Sequence, residues 1–276
     1  MADGFDLAGA LARVADGRAA CWLFIKGYAA AWSTPLTPAD GYRPSELADV
    51  EARLGIRLPM AVREAYQLFG RRADLTRTQD LLLEPSQLRF DDTGELLVFR
   101  VENQWVCEWG VRVGDVDPID PPVMFGVHDL TDAGWRPFLD RFSLACVEMV
   151  LSESMLCNDV SASRELDDDA VGTLERRFDR LPFPDYPLWA NPDGPPVRWF
   201  SDGEVLLCDH SRTWLWMHAR TIEALDRVRT VLPGDWQMID YPRMNGRGDR
   251  DLGPCISRPG SPTLKLGIGR TGRRRM

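Results

Sequence analysis

Between residues 45 and 70 the chain encodes two short helices in succession, and their punctuation limits what can fold around them. Leu47, Val50 and Leu54 share one helical face behind Ser45 as N-cap, and Gly55 offers the left-handed conformation that ends a helix. Leu58 precedes Pro59, whose missing N–H is harmless in a first helical turn. Val62, Tyr66 and Phe69 then follow at i, i+4 and i+7 before Gly70. Such an αα-hairpin has apolar faces that need a sheet to cover.

The sheet is expected next. Residues 96–113 are rich in β-branched and aromatic side chains, broken by Glu102-Asn103-Gln104 as in a hairpin or kinked strand pair, and Val123-Met124-Phe125 reads as a further strand. From Trp135 to Leu156 the positions Trp135, Phe138, Leu139, Phe142, Cys146, Met149 and Val150 return to a helical period, which predicts one long helix over a sheet face. Ahead of the helix pair, Phe5, Ala8, Leu11, Ala12 and Val14 suit a helix. The short apolar run Cys21–Ile25 suits a strand.

Beyond the long helix, the polar and acidic run Ser161–Asp169 reads as a boundary, with Asp169 as a helix N-cap. A short helix (Val171, Leu174, Phe178), a proline-rich link, two strands around Ser201-Asp202-Gly203 and Asp209-His210-Ser211, and a helix after Thr221 follow. One hairpin and two short helices are meagre for an independent core, so an extension of the first sheet is expected. The fold class is therefore α+β: a mixed, mainly antiparallel sheet covered by helices, with a C-terminal hairpin-helix extension. The expected divisions are a helix-strand extension over 1–40, the main domain over 41–157, the extension over 158–267 and a basic tail, disordered, over 268–276.

Composition narrows the function classes. No apolar run approaches the roughly 20 residues a bilayer needs, and Asp3 and Asp6 stand where a secretory leader would be basic, so a cytoplasmic protein is expected. Six scattered cysteines without a CxxC suit reduced thiols in a core. Residues 1–151 hold 23 Asp/Glu against 15 Lys/Arg, and the formal net charge of the whole chain is -9. An acidic surface aids solubility, disfavours phosphate backbones and favours basic partners.

Three pieces, in order, carry a family resemblance. The first is Glu46-Leu47-Ala48-Asp49-Val50-Glu51-Ala52-Arg53-Leu54-Gly55-Ile56-Arg57-Leu58-Pro59 with Arg63-Glu64-Ala65-Tyr66-Gln67-Leu68-Phe69-Gly70. The second is Glu102-Asn103-Gln104 with Trp109 and then Pro121-Pro122-Val123, and the third is the helix start at Trp135–Phe142. Over roughly residues 40–157 the chain resembles the SUKH superfamily, which joins yeast Smi/Knr-type cell-wall synthesis regulators to many bacterial immunity proteins. The resemblance implies helices packed on a mixed sheet, no cofactor, and a bacterial immunity protein that binds and blocks a cognate toxin, often a nuclease or deaminase. The eukaryotic relatives supply the alternative, a regulatory scaffold for signalling or cell-envelope partners.

The residues offer little for catalysis. There are only three histidines; Cys208, His210 and His218 make a loose metal pattern, and no GxSxG, HExxH or Walker loop is present. A non-enzymatic chain with no catalytic residue, metal or cofactor is expected. For a partner surface, Glu102, Asn103 and Gln104 sit beside Trp105 and Trp109, and aromatic anchors flanked by amides and acids suit an interface hot spot. Alternation puts Trp105, Cys107 and Trp109 on one face, with Glu108 on the other. Asp91, Asp92 and Glu95 around Gly94 are further acids that could meet a basic toxin. The amides serve equally well to pair loose backbone groups where strands bend, and the tryptophans to fill a core. The expected partner is a basic toxin, with no membrane, and nucleic acid only through the tail Arg270–Arg275.

Overall fold

The computed structural model describes residues 4–113, 119–128, 134–156 and 160–238. Helices α1 (Leu7–Ala12) and α2 (Arg18–Trp32) open it. α2 buries Cys21, Phe24, Ile25, Tyr28 and Ala29, the i, i+3, i+4, i+7, i+8 series of a helix face. The strand expected over Cys21–Ile25 is thus the middle of a helix. The apolar run is too short to reveal its period until Tyr28 and Ala29 are counted.

Helix α3 (Pro44–Leu54) begins two residues earlier than Ser45 capping predicts: Arg43 is the N-cap, Pro44 occupies the first turn, and Glu46 reaches back to accept the Arg43 N–H at 2.8 Å. Gly55 ends it at φ 70°, a conformation that glycine adopts without strain. Glu51 fastens the joint to α4 (Met60–Phe69), accepting the Leu58 N–H at 2.9 Å and pairing with Arg63 at 2.7 Å. α4 turns Ala61, Val62, Ala65, Tyr66 and Phe69 inward, and the Tyr66 hydroxyl donates to the Leu83 carbonyl at 2.7 Å. The short α5 (Ala73–Thr76) leads into the first sheet.

That sheet contains β1 (Asp80–Leu82), β2 (Arg89–Phe90), β3 (Leu96–Glu102), β4 (Cys107–Arg112), β5 (Val123–Val127) and β6 (Arg136–Leu139). Its order is β1-β3-β4-β5-β6, with β2 also on β3. β6 replaces the start of the long helix expected from Trp135. It pairs with β5, and Pro137, which has no N–H for a helix, suits a sheet edge. The helix α6 begins only at Phe142 and runs to Ser154 with nearly every residue buried, as befits a helix without a polar stripe.

The second sheet follows: β7 (Ser161–Glu165), α7 (Asp168–Arg177), β8 (Asp179–Arg180), β9 (Arg198–Ser201), β10 (Val205–His210), β11 (Trp214–Ala219), α8 (Ile222–Val231) and β12 (Gln237–Met238). Its order is β12-β7-β11-β10-β9-β8, and every described strand pairing in both sheets is antiparallel. Within the boundary expected at Ser161–Asp169, Ser161–Glu165 is an inner strand and Asp168 opens α7. The extension of the first sheet expected from this region is instead a separate sheet of its own, because its strands pair with one another. The polar side chains of β7 are buried because they are paired: Ser161 with His218 at 3.1 Å, Arg164 with the Leu232 and Pro233 carbonyls. The α7 N-cap is Asp167, accepting the Ala170 N–H at 2.7 Å, not Asp169.

Alternation along the second sheet serves two cores. Trp199, Leu206 and Cys208 join the large cluster formed by α1–α6 and the first sheet, while Phe200, Val205, Leu207, Leu215 and Met217 pack with α7 and α8. A fully buried side chain of this size contributes about 1.5–3 kcal/mol, so residues 160–238 carry a substantial core of their own on one face. Cys21, Cys107, Cys146 and Cys208 are free and buried. Among the described residues no helix is long and apolar enough to cross a membrane. Cys157, Cys255, Asp129 and the basic tail over 268–276 lie outside the described residues.

Candidate partner-binding surface

The turn between β3 and β4 is fixed from within. The carboxylate of Glu102, itself buried, accepts the Gln104 N–H at 2.7 Å, and the Trp105 N–H donates to the Glu102 carbonyl at 2.8 Å. Asn103 and Gln104 are left exposed. Trp105 is held at φ 63° with 52% of its surface open to solvent. A left-handed backbone costs a residue with a Cβ about 1–2 kcal/mol, and a side chain half open to solvent recovers only part of that through burial.

Behind the tryptophan lies a small ionic group. Glu108, buried on β4, binds Arg89 of β2 and His128 Nε2 at 3.2 Å, and the His128 N–H donates to the Val106 carbonyl at 3.0 Å. The Arg89 guanidinium stands 5.9 Å from the Trp105 ring centroid, within cation–π range. The exposed face of the turn therefore consists of Asn103, Gln104, Trp105, Arg89 and His128. Arg89 and His128 have no sequence signal for this role. Only strand pairing brings residues 89, 105, 108 and 128 together.

Three of the nine residues expected at an interface lie inside instead. Glu102 and Glu108 are buried by the hydrogen bonds and ion pairs that hold the turn, and Trp109 is packed beneath Arg100, 4.8 Å from guanidinium to ring. Trp105 leaves the strand at the turn, so it does not share the buried face of Cys107 and Trp109. The acids Asp91, Asp92 and Glu95 lie at the opposite end of β3, whose seven residues span about 20 Å. Asp91 is a turn-former, accepting the Glu95 and Leu96 N–H groups at 3.0 and 2.9 Å and the Trp135 indole N–H at 3.1 Å. Partial burial raises its pKa, but these hydrogen bonds outweigh that and hold the carboxyl below its ordinary range. Asp92 and Glu95 are exposed, and the Glu95–Arg112 pair at 2.8 Å joins two open side chains, worth little in water.

Beneath the first sheet, Arg100 ties strands to α6. It reaches Asp80 at 3.1 Å, Glu148 at 2.8 Å and Glu153 at 2.8 Å, and Glu153 also accepts the N–H groups of Thr78 and Gln79 at 2.8 and 2.6 Å. Burial drives the carboxyls of Asp80 and Glu153 upward despite Arg100. This cluster is a structural knot, closed to solvent.

Cys208 and His210 share a strand and His218 lies on the next, yet among the described residues no group of His, Cys, Asp or Glu is arranged to hold a metal. Burial pushes all four described thiols up, and His218 is buried with its imidazole pushed down to about 4. Charge is broader than the front half alone: residues 1–238 hold 39 Asp/Glu against 24 Lys/Arg, and residues 239–276 hold 3 against 9. Compared with models of known protein families, with curated proteins and with solved structures, the chain finds no match.

Proposed function

We propose that this chain is a non-catalytic protein-binding module, an immunity protein of the SUKH kind that neutralises a cognate toxin, and that the β3–β4 turn is its anchor. The observation that carries the reading is Trp105, a large aromatic side chain kept in a strained backbone conformation and presented to solvent by a turn locked through buried Glu102. Strain retained at an exposed aromatic points to use outside the fold. Raised thiols and a buried, neutral His218 leave little for nucleophilic chemistry, which supports a binding role. The net negative charge of residues 1–238 favours a basic toxin, a nuclease or deaminase.

Trp105→Asn tests this directly, because asparagine tolerates the left-handed conformation. In a strain expressing the proposed cognate toxin, sought among the neighbouring open reading frames, the wild type should rescue growth. The variant should keep or slightly raise its Tm and lose about 2 kcal/mol or more of binding, roughly thirtyfold in Kd. Full protection and unchanged affinity in Trp105→Asn would remove the turn as the anchor. Failure of the wild type to protect, with several non-toxic partners captured, would favour the regulatory scaffold.

A further inference from the structure

A second aromatic surface lies on the second sheet, remote in sequence from the β3–β4 turn. Glu165 of β7, Trp214 of β11 and His210 of β10 are direct cross-strand neighbours, and in the next row Trp216 lies opposite Ser163 and Cys208. Side chains in one such row project from the same face. The Trp214 and Trp216 rings are 6.4 Å apart and inclined at 34°, so they form a shallow V rather than a flat stack. Trp216 packs one side against the large core and is half-buried, while Trp214, nearer the end of the strand, belongs to neither hydrophobic core and is half-buried, so the open part of the V is at Trp214.

The hydrogen bonding of His210 makes this surface directional. Trp216 Nε1 donates to His210 Nδ1 at 3.2 Å, so Nδ1 carries no proton and the neutral ring bears its hydrogen on Nε2. Burial keeps the ring neutral, with its pKa pushed down to about 4. Nε2–H meets no acceptor among the described residues, yet this nitrogen is not among the fully enclosed unpaired atoms, and the residue keeps partial exposure although most of its ring is desolvated. A fixed donor therefore stands beside two tryptophan rings. Beyond Glu165 the chain continues with Asp167, Asp168 and Asp169, all exposed like Glu165 itself.

We propose that Trp214, Trp216, His210 and Glu165 form a docking site for a proline-rich segment of a partner protein that carries a basic residue beside its prolines. A pyrrolidine ring offers an apolar body to the tryptophan V. The carbonyl of an X-Pro amide accepts from His210 Nε2–H, and the extended polyproline conformation has no internal hydrogen bonds to break and little entropy to lose. The acidic run from Glu165 to Asp169 complements a flanking Arg or Lys. The same charge repels nucleic acid, whose bases could otherwise stack on the rings, and gives no preference for a neutral sugar.

The test is calorimetric titration of the full chain with a blocked peptide of six prolines bearing one arginine at each end, together with NMR of the indole N–H signals. Binding should shift the Trp214 and Trp216 signals, and Trp214→Ala should weaken it at least about tenfold. Glu165→Lys, at an exposed position, should weaken binding about threefold or more and reduce its salt sensitivity, Asp167, Asp168 and Asp169 retaining the rest. This variant keeps the test decisive if Trp214→Ala lowers the far-UV circular dichroism. Absence of peptide binding up to about 1 mM, the weak end of useful affinity, overturns the proposal. So does binding that both variants leave unchanged, or a response of the same indoles to maltohexaose or single-stranded DNA in place of the peptide.

Discussion

Each sheet is organised around a buried arginine, and the two arginines are balanced differently. On β3, Arg100 faces three buried carboxylates, Asp80, Glu148 and Glu153. On β9, Arg198 grips one buried carboxylate, Asp209, through Nε at 2.9 Å and Nη2 at 2.6 Å, and reaches the half-exposed Glu175 at 2.6 Å. The first cluster carries more acid than base and is sealed, so burial raises Asp80 and Glu153. In the second, the hydrogen bond from Arg198 outweighs slight desolvation and holds Glu175 below the usual carboxylate range. The first sheet is thus knotted to α6 through an electrostatically loaded site, whereas the second is clamped by a nearly matched pair with one end in water.

The largest break should come from Arg100→Met, which strands three buried carboxylates. A loss of about 5 kcal/mol or more is expected, at the upper end for broken buried pairs, and urea denaturation should find little folded protein. Arg198→Met strands only Asp209 and should cost about 3–4 kcal/mol on the same measurement. Equal losses would erase the distinction between the clusters.

The two halves should also titrate in opposite senses. His218, behind the second sheet, has a folded pKa of about 4, below the unfolded value of about 6.5. The unfolded state then binds more protons between these values. The stabilisation is present above pH 6.5 and falls by about 3 kcal/mol as pH drops through 4. His210 carries the same depressed pKa, so His218→Asn should remove about half of this histidine contribution to the acid limb of the stability curve. Asp80 is the reverse case, because its folded pKa is raised: its favourable contribution is present below the unfolded pKa and is lost as pH rises through the folded one. Asp80→Asn should therefore change stability by about 1 kcal/mol or less, and compare better with the wild type at pH 8 than at pH 5. An equal difference at both pH values would show that Asp80 does not titrate there.

Local chemistry was legible where one element carried its own signal. Gly55 and the Leu58-Pro59 entry marked the ends of α3 and the start of α4, and Glu102-Asn103-Gln104 marked the β3–β4 turn. Legibility failed where partners lay far along the chain. Ser161–Glu165 looked like a boundary because Ser161, Ser163 and Arg164 are polar, and their strand role depends on β11, about fifty residues later. Arg136–Leu139 followed a helical period, yet pairing with β5 decided its conformation. At the candidate surface, Asn103, Gln104 and Trp105 could be read from sequence. Their supports Arg89 and His128 could not, because strand register brings them there.

The sequence by itself determined the α+β class, the antiparallel tendency, the helix pair with its glycine exits and Leu58-Pro59 joint, and a charge unsuited to nucleic-acid backbones. Those properties follow from residue types and short-range spacing. Tertiary structure decided which acids and tryptophans face outward: Trp109 and Glu108 turned inward, Trp105 stayed out, and His210 acquired a fixed tautomer beside Trp214. The physical reason is that burial of a polar or aromatic side chain is settled by partners across strands, through hydrogen bonds and charge pairs that no single segment contains.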